Sequence, residues 1–311
     1  MNRFIKLLSL VLVAQLLLVA VVFWPQQDPG AIDANTALLD LETQAIDRII
    51  VSDSESSVLL SRQDERWVMP ELHGLPAQAA RVDRLLSELP ALPRGWHIAA
   101  SEEAAQRFEV SEDRFQSRVE YFSGDSSVGA IYIGTSPGFR KVHSRLADGD
   151  EIYAVEYNNF ELPARPEEWL DKSLLRISQP TAIDGPDFSL RLEQERWRDP
   201  QGAEADIAVA DGLASGLVGL RVIAAVDIAT AAVLDAVDAP PTLTVTTSAG
   251  KFEYRLYEMK EQYYVQRADI PVYFSLSAYD YDRLNDVNAE SLYPPVKEEP
   301  AEDTEDEGKP S

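Results

Sequence analysis

Ile46-Asp47-Arg48-Ile49-Ile50-Val51, then Ser57-Val58-Leu59-Leu60, then Arg66-Trp67: this opening stretch is written twice in the chain, and its recurrence decides the fold. The apolar runs flank the polar Asp53-Ser54-Glu55-Ser56, which predicts a β-hairpin. Further on, Phe188 to Leu192 leads into Arg196-Trp197, repeating Arg66-Trp67. After the first Trp, Val82, Leu85, Leu86 and Leu89 fall on one face of a helix; after the second, Ala210, Leu213, Ala214 and Leu217 do the same. Ser101 is suited to cap a short helix through Phe108, and Asp227 to Val237 predicts its counterpart.

Hairpins follow in both halves. Val119 to Phe122 and Val128 to Ile133 turn around Gly124-Asp125, and Val142 to Leu146 and Ile152 to Val155 around Asp148-Gly149-Asp150. The second half offers Leu243 to Thr247 and Phe252 to Tyr257 around Gly250, then Tyr263-Tyr264-Val265 and Val272-Tyr273-Phe274, with Tyr273 matched to Tyr153. Pro166-Glu167-Glu168-Trp169-Leu170, with Pro and acids in a first turn, predicts a closing helix for the first half. The expected fold class is α+β, a duplicated unit of antiparallel β-hairpins with packed helices. The units are bounded at residues 40–175 and 176–293.

Outside the units, Arg3 and Lys6 precede an apolar run to Trp24. Residues 4–24 approach the ~20 that a helix needs to cross a bilayer. The run ends in bulky Val21-Val22-Phe23-Trp24-Pro25, where a signal peptidase requires small side chains. The expectation is an uncleaved transmembrane anchor over residues 1–24. The positive-inside rule then places the N-terminus in the cytoplasm and the body in the periplasm, at a bacterial inner membrane. Residues 25–39 read as a spacer. Residues 294–311, with seven acids and two lysines from Lys297 onward, read as a disordered acidic tail.

Composition narrows the function classes. The 311 residues carry 28 Lys+Arg against 53 Asp+Glu, a formal charge of −25, which disfavours nucleic acid as a partner. Without cysteine there is no disulfide, thiolate nucleophile or Cys-ligated metal. His73, His97 and His143 are the only histidines, and no Gly-x-Ser-x-Gly or His-Glu-x-x-His occurs. Gly134-Thr135-Ser136-Pro137-Gly138 lacks the Gly-Lys-Ser/Thr of a phosphate loop and reads as a turn. Asp148-Gly149-Asp150-Glu151 lacks the length of a calcium loop and reads as a hairpin turn. Asp280 and Asp282 read as helix-start acids rather than a glycosidase pair. The expectation is no enzyme activity, no cofactor and no metal.

Tyrosines crowd between Tyr254 and Tyr281, and strand alternation turns some rings away from the core. Tyr257, Tyr264 and Tyr273 are therefore the candidate partner or ligand face, since Tyr buries large area at low entropy cost.

The anchor, the strand ending in a lone Trp, the Leu-rich helix, Ile133-Gly134 and the later Val142…Ile152-Tyr153 together resemble the family called domain of unknown function 4340. The resemblance covers about residues 40–290. One departure lies at Phe108-Glu109-Val110, where the family tends to Tyr-Gly-Leu. The resemblance implies a membrane-anchored envelope protein associated with ABC-transporter components of the gliding-motility auxiliary type. It brings no catalytic residues. The resulting expectation is an accessory protein contacting a permease or auxiliary membrane subunits, the alternative being a periplasmic module that binds glycan or lipid through the Tyr-rich face.

Overall fold

A computed structural model describes residues 36–295, together with Leu12 and Gln15. Strands β1 (Arg48–Ser52) and β2 (Ser57–Gln63) form the expected hairpin, pairing Val51 with Val58. Its turn is fixed by the Asp53 carboxylate, which accepts from the backbone N–H of Glu55 and Ser56 at 2.8 and 2.7 Å. Burying Ile49, Val51, Val58 and Leu60 on one face fixes the register, because a one-residue slip would turn all four to solvent.

The first unit continues with β3 (Arg66–Met69), β4 (Leu75–Pro76), α1 (Ala79–Ala91), β5 (His97–Ala99) and α2 (Glu102–Phe108). Strands β6 (Ser117–Ser123), β7 (Ser126–Ile133), β8 (Val142–Leu146) and β9 (Ile152–Val155) complete it. The second unit holds β10 (Ala182–Asp184), β11 (Ser189–Glu193), β12 (Arg196–Arg198), α3 (Ile207–Gly219) and α4 (Ile228–Leu234). Then come β13 (Thr242–Thr247), β14 (Gly250–Met259), β15 (Gln262–Arg267), β16 (Tyr273–Leu276), α5 (Ala278–Asn285) and α6 (Ala289–Leu292).

Two antiparallel sheets result, ordered β4-β3-β2-β1-β6-β7-β8-β9-β5 and β12-β11-β10-β13-β14-β15-β16. The second order copies the first from β3 to β9, strand for strand. The helices copy as well: α1 and α3 have 13 residues each, α2 and α4 have 7 each. Val82, Leu85 and Leu89 are buried in α1 where Ala210, Leu213 and Leu217 are buried in α3. The mixed α+β class and the paired antiparallel sheets thus follow the expected pattern.

Several expectations change. Tyr153 stands opposite His97 in the first unit, and Phe274 opposite Ala225 in the second, so Tyr273 corresponds to Ile152 and not to Tyr153. The closing helix reduces to one 3-10 turn, Pro166–Glu168. It stops because the next backbone groups are already committed: Trp169 O accepts from Gln78 N at 2.6 Å, and Leu170 bridges Ala77. The spacer ends earlier than residue 39, since Leu38 is fully buried and its N–H donates to Leu92 O.

The connection between the units is itself core. Trp169 and Leu170 are buried with the first sheet's residues, and Tyr254 of β14 donates its hydroxyl to Leu175 O at 2.7 Å. Among the described residues no helix is long and apolar enough to cross a membrane. The expected anchor at residues 4–24 and the acidic tail from residue 296 lie outside the described residues, Leu12 and Gln15 apart.

Candidate interaction site

The tyrosine face proves to be covered. Tyr257, Tyr264 and Tyr273 do point away from the main core, as strand alternation requires, but each is buried, in a cluster closed by Leu234 of α4. Tyr257 and Tyr273 pack edge to face with ring centroids 5.4 Å apart. The Tyr273 hydroxyl donates to Asp235 Oδ1, and Tyr264 to Gln262 Oε1 at 2.6 Å. Burial, then the adjacent Asp235, raises the Tyr273 pKa above the ordinary phenol value. The three rings form a platform for α4, so the structure does not present them as an open ligand face. The sequence could not reveal this, because Ile228–Leu234 carries little periodic contrast between its inner and outer faces.

The equivalent place in the first unit holds Gly134, His143 and Ile152, under Phe108 of α2. Gly134 is required by packing rather than by a ligand: a Cβ there would lie 2.1 Å from Phe108 O and 2.4 Å from Glu109 O. The His143 ring stacks on Phe108 with centroids 4.1 Å apart. Thr135 Oγ1 donates to Phe108 O at 3.2 Å, which leaves it to accept from His143 Nδ1 at 2.9 Å. Burial lowers the His143 pKa, opposed by the backbone hydrogen bond to Thr135 and aided by Arg107. This histidine is a buried seam between helix and sheet.

Glu109 adopts the left-handed C-cap conformation with φ 59°. Its carboxylate is anchored by Arg114 at 2.6 Å and Gln116 at 2.9 Å, which offsets part of the conformational cost. These same bonds, led by Gln116, hold its pKa below the usual carboxylate range.

The other chemical candidates are accounted for locally. Gly149, in the Asp148-Gly149-Asp150 turn, gives its carbonyl to Arg145 at 2.9 Å. Asp280 accepts from the Ser277 hydroxyl at 2.7 Å at the start of α5. Among the described residues no three His, Cys, Asp or Glu side chains gather to hold a metal ion.

An open site lies elsewhere, over α1. Phe139 and Phe160 are 90% and 82% exposed, the most exposed phenylalanines among the described residues. Phe139 and Arg140 precede β8, and Tyr157 and Glu161 follow β9. With Arg84 and Glu88 of α1 they line a groove of about 560 Å³. Arg84 reaches Glu161 at 3.3 Å, and Arg81 donates to Phe160 O at 3.1 Å, pinning the chain after β9 against α1. Arg140 is held at φ 56°, a conformation that costs roughly 1–3 kcal/mol for a side-chain-bearing residue. The half-buried Tyr157 has a raised pKa, from burial first and then from Glu161 and Glu88. The available sequence signal was Phe139 itself, a large aromatic in a Pro-Gly loop, where strand propensity does not explain it.

The described part of the chain is a duplicated α+β scaffold with closed cores and an exposed aromatic groove bearing both charge signs. More specifically, the model of the family described as "Domain of unknown function (DUF4340)" matches residues 67–241, and the chain belongs to that family. The match runs from β3 of the first unit across the connection to the start of β13. No curated protein and no solved structure matches this chain.

Proposed function

We propose that this protein is a non-enzymatic, membrane-anchored accessory subunit of an ABC-type transport or export assembly, of the gliding-motility auxiliary kind. Residues 4–24 hold it in the bacterial inner membrane with its body in the periplasm, and it acts by contact with a permease or an auxiliary membrane subunit. The observation that carries this reading is the groove over α1: the nearly bare Phe139 among charged groups is what a protein-contact surface displays. The length and flanks of the apolar run at residues 4–24 support the anchor.

A mild-detergent pull-down compares the full-length chain with a version lacking residues 1–30, partners being identified by mass spectrometry. The reading expects a permease, ATPase or auxiliary subunit with the full-length form, and loss of it on truncation if the helix makes the contact. Recovery of both forms alone contradicts it.

A further inference from the structure

The two units share one order of strands and helices, so positions within matched elements can be paired. In α1 and α3 the matched buried positions set Arg84 against Gly212 and Glu88 against Gly216. In the strands, matching β8 to β15 and β9 to β16 sets Val142 against Tyr263, and the loop before β8 that holds Phe139 against the shorter turn that holds Lys260. The second unit fills the space above these positions with its own helix α5. Leu284 lies against Gly216, Arg283 donates to Gly212 O at 2.9 Å, and the Tyr281 ring packs on Tyr263 at 4.6 Å. Tyr281 and Leu284 are buried there.

In the first unit the chain leaves β9 differently. It makes two short 3-10 turns, Asn159–Glu161 and Pro166–Glu168, in place of an α-helix, and the place of α5 is the groove lined by Arg84, Glu88, Phe139 and Tyr157. Tyr157 covers part of the floor. The remainder is open, lined by Phe139 and charged side chains.

The charges select what fits. The lining carries Glu88, Glu156 and Glu161 against Arg84 and Arg140, and Arg84 is already paired with Glu161. Among the described residues Glu88 and Glu156 have no ion-pair partner, and neither has Arg140, so the acids outnumber the free cation in the lining. A helix like α5, which carries Asp280 and Asp282 against the single Arg283, would meet repulsion. A helix bringing Lys or Arg beside its apolar stripe would meet attraction, reinforced by the chain's formal charge of −25.

We infer that the groove between α1 and the start of β8 receives a short, basic amphipathic helix of a partner polypeptide, in the place that α5 fills in the second unit. This is helix-in-groove recognition, with one or two large apolar anchors against Phe139 and Tyr157 and a cation against Glu88 and Glu156. It rests on the reading of the chain as a contact protein.

The test uses a labelled, stapled helical peptide spanning residues 277–286 with Asp280→Lys and Asp282→Lys, titrated against the full chain in mild detergent. Expected are saturable binding, affinity falling with ionic strength, and about a tenfold loss in the double variant Phe139→Ala, Glu88→Lys. Both residues are exposed, so the variant keeps the fold. The peptide with its native aspartates is expected to bind about tenfold more weakly. No binding of the basic peptide, or equal binding to the double variant, overturns the inference. Repeating the pull-down with the double variant separates the two levels. A membrane partner retained undiminished overturns the groove and leaves the accessory reading standing. Recovery of the wild-type chain alone, with the peptide still bound, overturns the accessory reading.

Discussion

The first unit lays α2 directly on its sheet, because Gly134 has no side chain and Phe108 O can approach it. The second unit lifts α4 onto three tyrosine rings at the matching strand positions. On the opposite side of the sheets the contrast reverses. The second unit lays α5 over Gly212 and Gly216 of α3, whereas the first presents Arg84 and Glu88 at those positions and leaves the space open. One order of strands and helices thus supports two distributions of side-chain volume. Backbone topology followed the duplication; what is covered and what is exposed was settled locally, by glycines in one place and charged or aromatic groups in another.

The largest effect is expected from truncating the side chain that fills this space in the second unit. Leu284→Ala removes a side chain that is 1% exposed and is expected to cost about 2–5 kcal/mol in chemical denaturation. Phe139→Ala and Phe160→Ala, around the open counterpart, are expected to stay within about 0.5 kcal/mol. Similar losses at all three would mean that the groove is core.

Next in size are the two buried hydroxyls. Tyr254→Phe frees Leu175 O at the connection between the units, and Tyr121→Phe removes a second bond from Leu85 O in α1, where the distance is 3.0 Å. The first is expected to cost about 1–3 kcal/mol, the penalty for a buried acceptor left unmade, and the second about 0.5–1.5 kcal/mol, because Leu85 O keeps its helical bond. In Tyr254→Phe, hydrogen exchange is expected to rise first near Leu175, and in Tyr121→Phe along α1.

A histidine pH effect belongs to the first unit alone, since Tyr264 stands where His143 does. Burial lowers the folded pKa of His143, so below the unfolded value of about 6.5 the unfolded chain takes up a proton that the folded one refuses. Stability from this group is therefore full above that value and declines as pH falls through it, levelling off below the folded pKa. The difference in midpoint between wild type and His143→Gln should shrink on acidification from about pH 8 to pH 5. A difference that is constant or grows would contradict the assignment.

The smallest effect sharpens the duplication at its turns. Asp64-Glu65 and Gln194-Glu195 form matching two-residue turns, with φ of 46° and 64°, and 49° and 64°, conformations that favour Asn-Gly. Glu65→Gly and Glu195→Gly are each expected to stabilise by about 0.5 kcal/mol and by equal amounts, read from thermal unfolding. Unequal signs would show that the turns are not equivalent.

Much of the scaffold was legible because long periodic stretches carry it. The α1 stripe, the Ser101 cap, whose hydroxyl accepts from Ala104 N, and the hairpin at Asp53 each depend on local chemistry. The halt after Pro166 was not legible, because it is imposed by Ala77 and Gln78, remote in sequence. The short edge strands β4 and β5 were missed for the same reason: two or three residues hold no period. At the candidate site the outward tilt of Tyr257, Tyr264 and Tyr273 was legible and their cover was not. The groove escaped because its residues come from α1, the loop before β8 and the turn after β9, and only the fold brings them together.

The proposed partner surface distinguishes equivalent places in the two units, open over α1 and filled by α5 over α3. A photo-crosslinking amino acid placed at Phe139, and in a second strain at Lys260 in the corresponding turn of the second unit, tests it in native membranes of full-length protein. A specific crosslink to a membrane partner is expected from position 139 and none from position 260. A crosslink from position 260 alone, or from neither, would contradict it.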